Sequence, residues 1–276
     1  MIRPRRLARI LATALIIGIG IFNLYQAVVG WHLLDASAYW HAALRLRAGE
    51  ALYPPVAIPE ASDVFRYAPW FAWAAVPFTY LPAQVAGTIW SVILLAASLW
   101  ALEPLVRARA WLLVALFGPV LVGISAVGNV QPLLVAALVH GVERRSGPLW
   151  IALASSLKVF PLLLALVYAG RWQWRRAAAA FALTALLWAP ALLYDLGNYP
   201  QSAGRAAALF SWPILYFAVL GMAIAGTLAL AWTRFAWLSA AVAIALALPR
   251  LFVYDVTWLV IGVAPALRGI KRIPPQ

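Results

Sequence analysis

Apolar runs succeed one another along nearly the whole chain, and only one long stretch, residues 31 to 69, is too polar to cross a membrane. This pattern restricts the fold more than any other feature. Inside a bilayer every backbone N–H and C=O must be satisfied within its own segment, so apolar runs approaching 20 residues form helices. Hydrophobic residues make up 66% of the 276, and the mean hydropathy is +0.90, against roughly 45–50% apolar content in soluble domains. The expected fold is all-α: a polytopic integral membrane protein, with one transmembrane domain over 1–276, roughly ten apolar helical segments and no separate soluble unit.

The first apolar run, about Ala8 to Gly30, is longer than the apolar core of a signal peptide and reads as an anchor helix. Residues 70–82 are apolar but short and broken by Pro77 and Pro82, so they could cross or dip and return; a dip is favoured because a full crossing would invert the charge asymmetry below. Val85 to Leu105 is a full span, and further apolar segments follow at about 110–127, 130–142, 148–157, 159–170, 177–194, 212–231, 235–249 and 251–266. With this assignment 15 of the 21 basic residues fall in linkers on one side, from Arg3, Arg5, Arg6 and Arg9 to Arg268, Lys271 and Arg272. The other six are Arg45, Arg47, Arg66, Lys158, Arg205 and Arg250. Such an asymmetry orients helical membrane proteins, and it puts both termini in the cytoplasm of a bacterial inner membrane and 31–69 outside.

A net charge of +13 would suit nucleic acid, but the basic residues punctuate apolar segments instead of forming one polar face, so no nucleic-acid partner is expected. The chain has no cysteine, and His32, His41 and His140 are too scattered for a metal site, so neither metal nor cofactor is expected.

After Asp35, the residues Ala36, Tyr39, Trp40, Ala43 and Leu44 recur at helical spacing and Gly49 can close the helix. They predict an amphipathic helix on the outer membrane surface, its Tyr and Trp at headgroup depth. Two interior places are irregular. Residues 147–170 could span once, yet Arg144 and Arg145 precede them and Arg171, Arg175 and Arg176 follow. A re-entrant hairpin turning at Lys158-Val159-Phe160-Pro161 keeps both clusters on one side and leaves Lys158 at the floor of an outward-facing cavity. The other break is Gly128-Asn129-Val130-Gln131-Pro132, whose amides are tolerable at depth only inside protein or along a wet cavity.

The outer polar groups therefore include one acid at the headgroup boundary, Asp35, and cations reaching inward. Hydrolysis of a glycosidic bond needs a second carboxylate to protonate the leaving alcohol. Transfer from a sugar phosphate does not, because phosphate departs as a stable anion. One general base and a set of cations suffice, with Asp35 as the base and Lys158, Arg66 and Arg250 as the phosphate clamp. A carboxylate beside cations is expected to be ionised near pH 7.

The residues also carry a resemblance. Asp35, Tyr39 and Ala42 lead to Arg47-x-Gly49 and Leu52-Tyr53-Pro54, then to Arg66-Tyr67-x-Pro69, Pro77 and Leu81-Pro82. Gly128-Asn129-Val130-Gln131, Lys158-x-x-Pro161, Arg171-Trp172-Gln173-Trp174-Arg175 and Pro249-Arg250-Leu251-Phe252-x-Tyr254-Asp255 follow in order. The succession resembles glycosyltransferase family 87 of the GT-C superfamily. That resemblance implies an inverting, metal-independent transferase that moves a sugar, commonly mannose, from a polyprenyl-phosphate donor to a lipid or glycan acceptor on the extracytoplasmic face. It places the catalytic acid at Asp35. Tyr39, Tyr67, Asn129, Gln131, Tyr254 and Asp255 are expected, from their outer positions and the breaks they occupy, to line the substrate. The chain departs from the family in its short length and its abbreviated late outer loop, Asp195 to Ser211.

Each residue also has a structural role to fill. Asp35 suits the N-cap of its helix, a role compatible with catalysis. Lys158 can pair with Asp255, the arginines can bind anionic headgroups, and Asn129 and Gln131 can satisfy backbone at a helix break. Glu50, Glu60 and Asp63 read as solvated loop charges. Cavities with a deep lysine and broken helices also serve transporters and lipid flippases, and a non-catalytic scaffold is the third alternative.

Overall fold

The computed structural model describes residues 4–29, 34–55, 64–199 and 211–270. His32, Glu60, Asp63, Arg205, Arg3, Lys271 and Arg272 lie outside the described residues. Among the described residues there is no strand, and twelve α-helices follow one another. They are α1 (Pro4–Val28), α2 (Leu34–Ala48), α3 (Pro69–Ala75), α4 (Ala83–Arg107), α5 (Trp111–Ile124) and α6 (Gln131–Gly141). Then come α7 (Gly147–Leu157), α8 (Ala165–Gly170), α9 (Trp174–Trp188), α10 (Pro213–Ala229), α11 (Ala236–Ala247) and α12 (Leu259–Ile270). Short 3₁₀ turns extend several of them, among them Val76–Tyr80 after α3, Phe160–Leu164 before α8 and Val253–Trp258 before α12.

Three helical stretches are long and apolar enough to cross a membrane: Arg6–Val28, Ala83–Arg107 and Trp174–Leu193. The other apolar helices contain 10–17 residues. At 1.5 Å per residue these reach about 15–26 Å, short of a ~30 Å hydrocarbon core. The apolar segments expected from the sequence are thus helices, but only three have the length of a span by themselves.

The helices run up and down between two ends. At one end, Gln84 and Thr88 at the start of α4 bond the carbonyls of Val28 and Ala27 at the close of α1. Asn23 of α1 donates to Val122 near the end of α5, and Tyr216 at the start of α10 donates to Ala247 at the end of α11. At the opposite end, the two arginine clusters that flank 147–170 come together. Arg176 donates to the Arg144 carbonyl and the Tyr168 hydroxyl, and Tyr168 donates to the Val142 carbonyl. The segment 147–170 therefore goes out and returns, breaking at Lys158, whose backbone is extended (φ −139°, ψ 113°). One buried core draws on residues from Ala12 to Ala264.

Residues 69–80 are helical but only about 20 Å long, and they stay at the Asp35 end. Trp70 donates to Ser156 at 3.0 Å and Trp73 to Tyr194 at 2.9 Å, which fixes α3 beside the tips of α7 and α9.

The surface-helix expectation needs correction. α2 ends where predicted, at Gly49, whose φ of +70° is the left-handed conformation of a helix stop. Its buried face, however, is Ala38, Tyr39, Ala42 and Ala43, none more than 4% exposed, and it packs on α3, the Val76–Tyr80 turn and α4. Alanines bring the α2 backbone close to its neighbours, so protein and not headgroups covers this face. Arg47 donates to both oxygens of Thr79 at 2.8 Å and lies 4.1 Å over the Tyr80 ring, while Arg45 reaches the Leu52 carbonyl. These arginines hold α2 in place rather than serving as free headgroup contacts.

Candidate functional site

The site is assembled around the loop between α5 and α6. Gly128 has a φ of +75°, a left-handed turn that glycine adopts without strain, and its carbonyl accepts from Trp90 of α4 at 2.8 Å. The turn aims two amides in different directions. Asn129 accepts from the Gln131 backbone N–H at 2.8 Å through Oδ1, which leaves Nδ2 to donate to Asp35 Oδ2 at 2.6 Å. Gln131 accepts from Lys158 Nζ at 2.8 Å and donates to Thr257 Oγ1 at 3.2 Å, and Thr257 in turn donates to the Tyr254 carbonyl at 2.6 Å. A continuous hydrogen-bonded path thus joins the acid to the lysine and to the turn before α12.

Asp35, Arg66, Asn129, Gln131, Lys158, Arg250 and Asp255 meet here. Asp35 lies in the first turn of α2, inside the helix rather than at its N-cap. Lys158 sits 4.8 Å from the centre of the Tyr254 ring. Tyr254 stacks on Phe252 at 5.2 Å, and Arg250 covers Phe252 at 5.1 Å, so cations bracket a pair of stacked rings. Arg66 is close enough to feel both Arg250 and Asp35. Asp255 is buried, accepts from the Phe252 N–H at 2.8 Å, and faces Lys158 electrostatically without forming a close ion pair. Three cations against two acids leave the cluster with a net positive charge and make it a place for an anion.

Burial pushes the Asp35 carboxyl above its ordinary value, against the downward pull of the Asn129 hydrogen bond, Lys158 and Arg66. Loss of water around the half-buried carboxylate thus outweighs the neighbouring cations in setting the direction of its shift. Burial likewise raises the hydroxyls of Tyr39 and Tyr67 well above their usual range, so both stay protonated. Tyr39 donates to Tyr67 at 3.2 Å, their rings pack edge to face at 5.1 Å, and Tyr53 donates to the Tyr67 carbonyl at 2.8 Å.

Two assignments change with the geometry. Asn129 and Gln131 were expected to line the substrate, yet they are 4% and 0% exposed and their polar atoms are bonded to Asp35, Thr257 and Lys158. They position the acid and the cation. Asp195 is exposed and only caps its own turn through Gly197. Sequence reasoning missed Thr257, two residues past Asp255, and Trp90, which holds the Gly128 carbonyl; a hydroxyl and an indole in apolar helices gave no signal apart from their partners. Among the described residues no group of three His, Asp or Glu gathers to hold a metal.

Near this polar cluster is an apolar cavity of about 480 Å³ between the ends of α1, α2, α3 and α4. Tyr39, Phe71 and Trp90 are among its lining, so Tyr39 lines an apolar space as well as lying near Asp35. Comparison with protein-family models, with curated proteins and with solved structures finds no match, which leaves the chemistry of this cluster to be argued from its own groups.

Proposed function

We propose that the protein is a membrane glycosyltransferase that moves a sugar, mannose as the first candidate, from a polyprenyl-phosphate donor to a hydroxyl acceptor. The reaction takes place at the extracytoplasmic face of a bacterial inner membrane, with both chain termini in the cytoplasm. One observation supports the reading: Asp35, hydrogen-bonded to Asn129, is gathered with Lys158, Arg66 and Arg250, all drawn from separate parts of the chain.

The acceptor O–H gives its proton to the Asp35 carboxylate as the oxygen forms a bond to the anomeric carbon. The bond from that carbon to the phosphate oxygen breaks, and its electron pair leaves on the polyprenyl phosphate. Attack opposite the leaving group inverts the anomeric centre. Lys158, Arg66 and Arg250 meet the negative charge that grows on the phosphate, so no acid is needed to protonate it. A base whose affinity for protons is raised by burial is better matched to neutral pH than an ordinary carboxylate. Tyr39 and Tyr67, held as protonated hydroxyls, can donate to sugar oxygens or to the phosphate.

Purified protein in nanodiscs, given polyprenyl-phosphate mannose and candidate acceptors, tests the reading. Asp35→Asn keeps the size of the side chain and an oxygen for Asn129, and transfer falls about 10²–10⁴-fold, the contribution of a general base. Undiminished transfer by that variant would falsify the assignment. Movement of unaltered lipid across the bilayer, indifferent to Asp35→Asn, would make the protein a flippase.

A further inference from the structure

We infer that the apolar cavity behind Tyr39 holds the hydrocarbon chain of a neutral, hydroxyl-bearing lipid, so that the acceptor is a lipid alcohol and not a soluble glycan. This rests on the transferase reading above. The cavity, about 480 Å³, falls within the roughly 300–1,000 Å³ of ligand sites. None of its lining residues is charged; Ser37, His41 and Gln84 are the polar side chains other than those of Tyr39 and Trp90. A phosphate would find no cation there, whereas the chamber on the other side of the Tyr39 ring has three. The two spaces therefore sort their ligands by charge: the anionic donor head belongs with Lys158, and a neutral amphiphile fits the cavity.

Position supports an occupant from the bilayer. The cavity lies where the two long apolar helices α1 and α4 end, with Ala27 and Ala83 on its wall. Tyr25, Val28 and Val85 next to it are apolar and 62%, 55% and 44% exposed, so the cavity adjoins a surface suited to lipid chains. Position also connects it to the chemistry. Ala36 and Ser37 of the lining directly follow Asp35 in α2, and Tyr39, which also lines the cavity, lies near enough to Asp35 to feel its charge. Ser37 and His41 bond each other, so the Tyr39 edge, nearest Asp35, is the place for the hydroxyl, with the chain among Phe71, Phe78 and Trp90.

Photolabelling of the full-length protein in nanodiscs tests the assignment. The probe is hexadecanol carrying a diazirine in its chain. Adducts are expected within 69–90, the span of α3, its following turn and the start of α4. Ala74→Trp and Ala83→Trp, both exposed residues that narrow the cavity from opposite walls, abolish those adducts. Excess polyprenyl phosphate leaves them in place. In transfer assays the same variants raise KM for hexadecanol about tenfold or more, the effect of about two unburied methylenes, with donor KM unchanged. Labelling spread evenly over all lipid-facing helices, or adducts displaced by polyprenyl phosphate, overturns the inference. If both tryptophan variants leave acceptor KM unchanged while Asp35→Asn still abolishes transfer, the cavity assignment fails and the transferase reading stands. If adducts map to 69–90 but no transfer depends on Asp35, the cavity is a lipid site and the transferase reading fails.

Discussion

Replacing Asn129 by leucine removes the hydrogen bond that most opposes protonation of Asp35 while keeping the volume of a side chain that is 4% exposed. The bond is short, 2.6 Å, and its acceptor is a carboxylate. Hydrogen bonds to charged groups contribute about 1.5–3 kcal/mol, and each ~1.4 kcal/mol changes an equilibrium tenfold. The ionised fraction of Asp35 on the acidic side of its titration should therefore fall about ten- to a hundredfold. In the proposed transferase Asp35 acts deprotonated, and its folded-state affinity for protons is already raised by burial, so activity appears as pH rises through that value and disappears below it. The variant carries this acidic limb to higher pH. The assay is kcat/KM of sugar transfer across the pH range in nanodiscs. At a pH on the limb the rate drops about ten- to a hundredfold, and on the alkaline plateau it returns towards wild type. The backbone N–H of Gln131 also loses its acceptor, at a cost of about 1 kcal/mol of stability visible as lower thermal resistance at every pH. A limb that stays in place while activity falls uniformly would refute the argument, since it would mean that Asn129 supports the loop without tuning the acid.

Two further predictions follow from the same geometry. Lys158→Met removes the charge and the 2.8 Å bond to Gln131, so donor KM should rise about 10–100-fold; Lys158→Arg should restore little, because a planar guanidinium does not replace a compact ammonium in that space, and an unchanged donor KM in both variants would dismiss the lysine as a phosphate ligand. The natural chain has no cysteine, so single substitutions report sidedness cleanly: Glu50→Cys should react with an impermeant maleimide on intact spheroplasts and Arg145→Cys only after lysis, and the opposite pattern would invert the orientation.

Much of this arrangement was legible in the chain because membrane-depth polarity is conspicuous. Gly128 to Gln131 and Lys158 stood out as interruptions in apolar sequence, and both are breaks in the structure. The paired arginine clusters required 147–170 to return to its starting end, and Arg176 bound to the Arg144 carbonyl is that return. What was illegible depends on which neighbour a side chain finds. Arg45 and Arg47 read as headgroup ligands because nothing in the sequence announces the carbonyls of Leu52 and Thr79 as their acceptors. The apolar spacing of α2 named Trp40 and Leu44, but the alanines Ala38 and Ala42 decide its orientation, since the smallest side chains allow the nearest approach. The cationic neighbours of Asp35 are visible in sequence, whereas the burial that raises its affinity for protons is not.

Asn129 grips the acid and Gln131 grips the lysine, and only two peptide units separate them, at most about 7 Å of chain. The gap between the acid and the cation is thereby gauged by a short stiff strut instead of by the tilt of long helices. When a bilayer thickens or thins, α1, α4 and α9 can lean to match it. The strut would carry both working groups along together, so a change of lipid composition should alter how readily substrates arrive long before it alters the spacing at which they react.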